Sequence, residues 1–445
     1  MTLLRSIGWM LLIMAGLSVA ARLNRALVED RRTYGITQAD PAINAPPLVV
    51  FTTVALGGFR GIIADMLWMR SSRLQYEGKY FELVQLADWI TKLEPRFTDV
   101  WAYHAWNLTY NISVLFSSPE DRWRWVRHGV TLLRDDGLRY NPDEPRLLFE
   151  LGWFFQHKIG GDTDDAHLYY KQAWAADMQS LFGGGRPDFA RIARDPVLRH
   201  TLMTNYKLDP ALMQQIERDH GPLDWRLPQA HAIYWATRSR LVGGLVDAGF
   251  ADRMIYQSMT DAFRRGLLVT GEQNDRFILA PHLELLPYVL RVYEKAIENP
   301  TARVGAETGF RHFLREAIVL LYMYGRADQA RGLLPRLRSM DPDISPTATL
   351  EQIVFSIYAG QGDQLTTETA YASVESSFYQ SLFWQAMGDA EKAHGYDQLA
   401  RLVWQRFMAP RMDRPDLKQR TGLPPIEEIR ESARQRMVDS RSGRP

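Results

Sequence analysis

The chain has 445 residues, 46% hydrophobic and 24% charged, with a net charge of +1 and no cysteine. That composition excludes wholesale disorder, and the near-zero charge speaks against a dedicated nucleic-acid binder, whose phosphate contacts need a basic excess. Without cysteine there are no disulfides, thiolate metal sites, thiol nucleophile or lipoprotein anchor.

Residues 1–23 open with a short polar start around Arg5, followed by the apolar run Ile7–Ala21. Leu3 and Leu4 lengthen that run and Arg5 can snorkel, so an uncleaved membrane anchor over residues 3–21 is expected. Two other readings stay open: a cleaved signal ending at Val19-Ala20-Ala21, and a buried core helix. Arg22, Arg25, Arg31 and Arg32 follow the run and favour a body on the cytoplasmic side, whereas the export-signal character favours an exported one. Residues 24–47 turn polar and Pro-rich and read as a tether. Leu48–Leu56 is apolar but too short to span a membrane, and packing against the body is expected.

From Gly57 to Pro95 the pattern predicts two amphipathic helices. Ile63, Leu67, Ser71 and Leu74 fall on the first, and Phe81, Val84, Ala87 and Thr91 on the second, with Gly78 at the turn. Phe97–Phe116 reads as one aromatic helix. Ser117-Ser118-Pro119-Glu120 starts the next, which runs to Tyr140 and stops before Pro142. A third hairpin pairs Pro145–Lys158 with Asp165–Met178 around Gly160-Gly161-Asp162. In the middle, Gly183–Pro187 reads as a flexible break, and short helices start at Asp-Pro pairs. Longer helices cover Leu227–Leu268, and another hairpin or an irregular pair covers Asn274–Pro300. Regular hairpins return at Arg311–Pro342, turning at Gly325, and at Val374–Phe407, turning at Gly388. The expected organisation is 1–23 anchor or signal, 24–47 tether, 48–180 N-terminal hairpins, 181–300 degenerate helical middle, 301–409 C-terminal hairpins and 410–445 Arg- and Pro-rich tail.

These residues resemble tetratricopeptide repeats, a 34-residue helical-hairpin family with Gly at the turn, Pro at the close and small residues on the second helix. Gly78 with Pro95 and Gly325 with Pro342 share one spacing. Leu151-Gly152, Ala166, Tyr170 and Ala173 match the Leu-Gly, small, aromatic and small positions, with a two-residue insertion. Ala330, Ala393 and Ala400 match small positions later on. Leu83 departs from the pattern, and the second repeat carries extra residues. The opening also looks like bacterial membrane-anchored repeat proteins of unassigned function. The resemblance implies an all-α fold, a right-handed superhelical stack of hairpins behind an N-terminal anchor helix. It also implies a place in a bacterial inner membrane, and the export-signal character of the opening segment puts the expected body in the periplasm, with the cytoplasmic face as the alternative.

Chemistry-bearing motifs are sparse. Gly57–Gly61 and Gly183–Arg186 lack the strand-loop-helix context and the Lys-Ser/Thr ending of a phosphate loop. Asp162-Thr163-Asp164-Asp165 lacks the later ligands of a calcium loop. The ten histidines are scattered, and no Gly-x-Ser-x-Gly elbow is present. Asn107-Leu108-Thr109 and Asn111-Ile112-Ser113 match the glycosylation pattern by coincidence, within a predicted helix. No cofactor or metal is expected.

Aromatic content is the unusual feature. Trp101, Trp106, Trp123, Trp125, Trp153 and Trp174 fall in the first three hairpins, mostly as filler between helix layers. In the family resembled, the first helix of each hairpin lines a concave groove. That register places Asp65, Trp68, Gln75 and Tyr76 in the groove from the first hairpin, and Phe149, Trp153, Gln156 and His157 from the third. His312, Arg315, Tyr322 and Met323 follow from the hairpin at Arg311, then Phe378 and Gln385. Gln75, Gln156 and Gln385 recur at one position, where an amide can both donate to and accept from an extended peptide. A polar face needing any neutral residue explains them equally well.

The resulting expectation is a membrane-tethered scaffold for protein–protein interaction in an envelope assembly, with membrane-associated protein partners, no nucleic acid and no catalysis. Alternatives are a carbohydrate-active lyase or glycosidase on a helical toroid, with Glu150, Asp164 or Asp165 as acid and base, and a purely structural envelope component.

Overall fold

The computed structural model describes residues 59–243, 245–269, 278–324, 326–358, 367–413, 415 and 422–441, with scattered positions between 14 and 30. The segment 48–56, most of the expected tether and of the expected anchor, and the turn residue Gly325 lie outside the described residues. Within residues 3–21, Met14, Gly16, Ser18 and Val19 are helical and exposed. Among the described residues no helix is long and apolar enough to cross a membrane. The chain is mostly helical and divides into two compact units between Leu147 and Leu148.

The first unit opens with α1 (Phe59–Tyr76) and α2 (Tyr80–Leu93). Gly78 takes φ +69°. This left-handed turn lets Lys79 N–H reach the Leu74 carbonyl at 3.0 Å and Gly78 N–H reach that of Gln75 at 3.1 Å, so the helix end is satisfied by two crossed bonds. Leu74, Leu83 and Leu86 bury together against Leu67 and Tyr103, and Ala64, Ile90 and Val100 against Leu67 and Trp68.

The predicted single helix over Phe97–Phe116 is instead three pieces. α3 (Thr98–Trp106) passes into a π-helical stretch, Asn107–Ile112, and a 3-10 turn, Ser113–Leu115. α4 (Pro119–Thr131) is capped by the Ser118 side chain, which accepts from Asp121 N–H at 3.1 Å, and it too widens into a π stretch, Leu132–Gly137. α5 (Pro145–Trp153), which spans the boundary between units, is followed by a third, Phe154–Ile159.

The second unit continues with α6 (His167–Phe182), α7 (Phe189–Arg194), α8 (Pro196–Asn205) and α9 (Pro210–His220). Asp195 and Asp209 cap α8 and α9 as Asp-Pro starts should, accepting from Val197 and Ala211 N–H, each at 3.0 Å. α10 (Pro228–Val242) and α11 (Leu245–Arg265) pack together, and α11 packs on α12 (Leu286–Glu298). A short antiparallel ribbon, β1 (Leu267–Val269) with β2 (Ile278–Ala280), stands where only helices were expected.

The glycine run read as a flexible break is tied down instead. Trp225 N–H donates to Gly185 O at 2.8 Å, and Arg226 donates to Asp224 and Gln179 beside it.

α13 (Arg303–Met323), α14 (Ala327–Met340), α15 (Leu350–Tyr358), α16 (Thr367–Ala386), α17 (Ala390–Met412) and α18 (Ile426–Arg441) complete the unit. α13 packs on α14, and α16 on both α17 and α18. Gly388 (φ +79°) closes α16 with the same crossed bonds as Gly78, to Trp384 and Gln385. Ala330, Ala393 and Ala400 are buried, as small positions on second helices require, while Ala173 is only half-buried and Trp174 beside it carries the core contact.

Candidate functional site

In the second unit, the end of α5 and its π stretch, α11, α12 and α13 enclose a cleft of about 670 Å³. Its floor is aromatic. Tyr256 and Tyr293 lie with ring centroids 4.9 Å apart, and Tyr293 stacks on Phe310 at 5.0 Å. Thr260 Oγ1 and the Tyr293 hydroxyl hydrogen-bond at 2.9 Å, which removes the polar penalty of burying both. Gly305 and Gly309, one turn apart on α13, leave room for these rings. A Cβ on Gly305 would stand 3.2 Å from the Tyr256 hydroxyl, and one on Gly309 would stand 3.2 Å from Tyr293 Cε1.

One wall comes from the π stretch. Trp153 and His157 stack almost parallel, with centroids 4.8 Å apart and planes at 9°. Burial, then Lys158, holds His157 below the usual histidine range, favouring the neutral ring. Gln156 Nε2 donates to Gln257 Oε1 at 3.2 Å, placing two amides side by side on the rim. The charges along α11 are largely matched. Arg264 is held by Glu316 through two bonds of 2.7 Å, and Arg265 faces Asp162 and Asp261 at 3.4 and 3.6 Å. Arg253 and His312 are exposed at the edge, and among the described residues no carboxylate pairs with either.

Of the fourteen groove residues expected, the cleft gathers Trp153, Gln156, His157 and His312. Arg315, Tyr322 and Gln385, in the same unit, do not line it. Arg315 instead reaches Asp341, the buried acid before Pro342, so it ties α13 to the end of its hairpin. Tyr322 is half-buried, and Met323 and Phe378 are buried. Gln385 is exposed, and its carbonyl accepts the turn bond from Gly388.

In the first unit Trp68 packs on Phe97 and Tyr103, with centroids 6.1 and 5.0 Å away. Gln75 accepts from the Tyr103 hydroxyl at 2.7 Å, while Tyr76 is 93% exposed and Asp65 is exposed. Among the tryptophans, Trp101, Trp123 and Trp174 are buried filler, and Trp125 stacks on Phe116 and His128.

The sequence reading missed the whole α11 contribution, Arg253, Tyr256, Gln257, Asp261, Arg264 and Arg265. Two glycines four residues apart on α13 were the available signal, since they mark a helix face that something approaches closely.

Next to the cleft, Asp164 is ion-paired to Lys158 at 2.6 Å, both side chains almost wholly buried. Burial opposes its charge, but the bonds from Lys158, Ala166 N–H and Tyr170 outweigh it and hold the carboxyl down at about 2. Lys171, buried and bonded to Gly161 O, is pushed down to about 8 by burial and then by Arg265. Among the described residues no group of three or more His, Asp or Glu side chains could hold a metal ion. The chain matches no family model, no curated protein and no solved structure.

Proposed function

We propose that this chain is a helical-repeat scaffold of tetratricopeptide type, a right-handed superhelical stack of hairpins tethered to a bacterial inner membrane by residues 3–21, with its body in the periplasm. The cleft in its second unit receives an extended segment of a membrane-associated protein partner, and no bond is made or broken there. One observation carries the reading. Four side chains assigned to a peptide groove from the sequence, Trp153, Gln156, His157 and His312, line a single cleft with an aromatic floor, an amide rim and mostly self-neutralised charge. Such a surface offers stacking area, paired donors and acceptors for a peptide backbone, and a cationic position, Arg253, suited to an acidic side chain. Its volume falls among those of ordinary ligand clefts, about 300–1,000 Å³. Of the acids considered for glycoside chemistry, Asp164 is held ionised in a closed pair with Lys158 and serves the fold.

The test is photo-crosslinking in membranes from a reactive residue placed at Gln257. One defined partner peptide should be captured, and the adduct should vanish in a Trp153→Ala, His312→Ala double variant whose helical content is unchanged. An adduct of equal yield in that variant removes the cleft from the partner's path.

A further inference from the structure

A second, smaller pocket of about 190 Å³ opens on the other side of α11, enclosed by α9, α10, α11 and α12. Two polar atoms buried at it have no partner among the described residues: His220 Nδ1, on a residue 9% exposed, and Thr237 Oγ1. A buried unpartnered polar group costs about 1–3 kcal/mol, so two at one cavity call for something that bonds to them.

The charges around it say which sign that something carries. Arg240 pairs with Asp252 at 3.3 Å, and the second Asp252 oxygen accepts from Asn299 at 2.9 Å, so this acid is spoken for. Asp219 lies beside His220 at the end of α9. Against these two acids stand Arg240, Arg291 and Lys295. Arg291 is poised over the Tyr288 ring at 5.3 Å, Lys295 is one helical turn further along α12, and among the described residues neither meets a carboxylate. Burial pushes His220 down to about 4, so its ring is neutral near pH 7 and can place a single proton on Nδ1. A cavity of this size exceeds one water's share of about 30 Å³ and falls short of a drug-sized site.

We propose that the pocket binds a small tetrahedral oxyanion, phosphate or sulfate. Its oxygens accept from the Thr237 hydroxyl and His220 Nδ1–H inside, while Arg291 and Lys295 supply positive charge at the mouth. The site is spatially distinct from the partner cleft: α11 lends Asp252 and Ile255 to the pocket and Tyr256 and Gln257 to the cleft.

The full chain should be titrated with sodium phosphate and with sodium sulfate at ionic strength held constant with sodium chloride, by calorimetry and by thermal unfolding. Saturable heat and a rise in Tm are expected with at least one of them. An Arg291→Gln, Lys295→Gln double variant, altered only at exposed positions, should weaken binding at least tenfold without changing the Tm in chloride alone. Thr237→Val should weaken it further. Glycerol phosphate distinguishes the source: tighter binding than inorganic phosphate assigns an esterified phosphate, and equal or weaker binding assigns the free ion. No saturable signal with either anion, or an unchanged affinity in the double variant, overturns the proposal.

Discussion

Gly395 on α17 meets the end of α13 so closely that a Cβ added to it would stand 1.1 Å from the Met323 carbonyl oxygen. Backbone cannot swing aside as a side chain can, so the contact forces the two helices apart if any other residue is present. Gly395→Ala should destabilise the second unit by about 3 kcal/mol or more, above the usual range for overpacking. Gly388→Ala, seven residues earlier with open space around it, carries only the strain of its positive φ and should cost about 1 kcal/mol. Gly332→Ala, in open space within α14, should stabilise by about 0.5–1 kcal/mol. Urea unfolding of the three variants checks the order.

Arg226 grips Asp224 by two bonds of 2.9 and 2.7 Å, with both side chains 5% exposed. Asp224 also accepts from the backbone N–H of Arg226 and from that of Leu268, at 3.0 and 3.3 Å, so the pair links the glycine loop to the β ribbon. Arg226→Met leaves a buried carboxylate unpaired and should cost about 3–5 kcal/mol. Asp224→Asn, Arg226→Met should recover part of that loss. Equal stabilities of the single variant and the parent, by chemical unfolding, would contradict this placement.

His104, 3% exposed and with no partner among the described residues on either ring nitrogen, is pushed down to about 4 by burial, partly offset by Asp88 and aided by His128. Its folded pKa lies below the unfolded value of about 6.5. The stability it contributes is therefore complete above that value and is lost as pH falls from 6.5 towards 4. At pH 5 the loss from this residue should be about 2 kcal/mol, read as a falling Tm. His104→Asn, which does not titrate there, should flatten that part of the profile.

Tyr76 and Tyr322, equal candidates for the groove on sequence grounds, do not line the cleft of the second unit. Tyr76→Ala and Tyr322→Ala should each leave crosslinking from position 257 within twofold of the parent, whereas Trp153→Ala should reduce it at least tenfold. The yield of the same adduct checks both statements.

The parts of this fold legible in the sequence are those governed by local chemistry. Ser118, Asp195 and Asp209 announce helix starts because a short side-chain oxygen followed by proline satisfies the first free N–H groups. Gly78 and Gly388 announce turns because the backbone there needs a positive φ. The π stretches after Trp106, Thr131 and Trp153 leave no such mark, since a single wide turn hardly alters a hydrophobic pattern read over many residues. Recurrence also misled. The backbone carbonyls of Gln75 and Gln385 each accept a glycine-turn bond, which says nothing of their side chains, and of the three Gln156 lines the cleft. The polar face of α11 reads as solvent-facing because sequence carries no sign of the helices that flank Gln257 and Asp261.

α11 is a partition with an occupant expected on each side. Its backbone carries Ile255 to the pocket and Tyr256, the next residue, to the cleft, so a shift of the helix caused by an occupant of one would be felt in the other. Thermodynamics then demands symmetry: if the ion tightens the grip on the partner by some factor, the partner tightens the grip on the ion by that same factor.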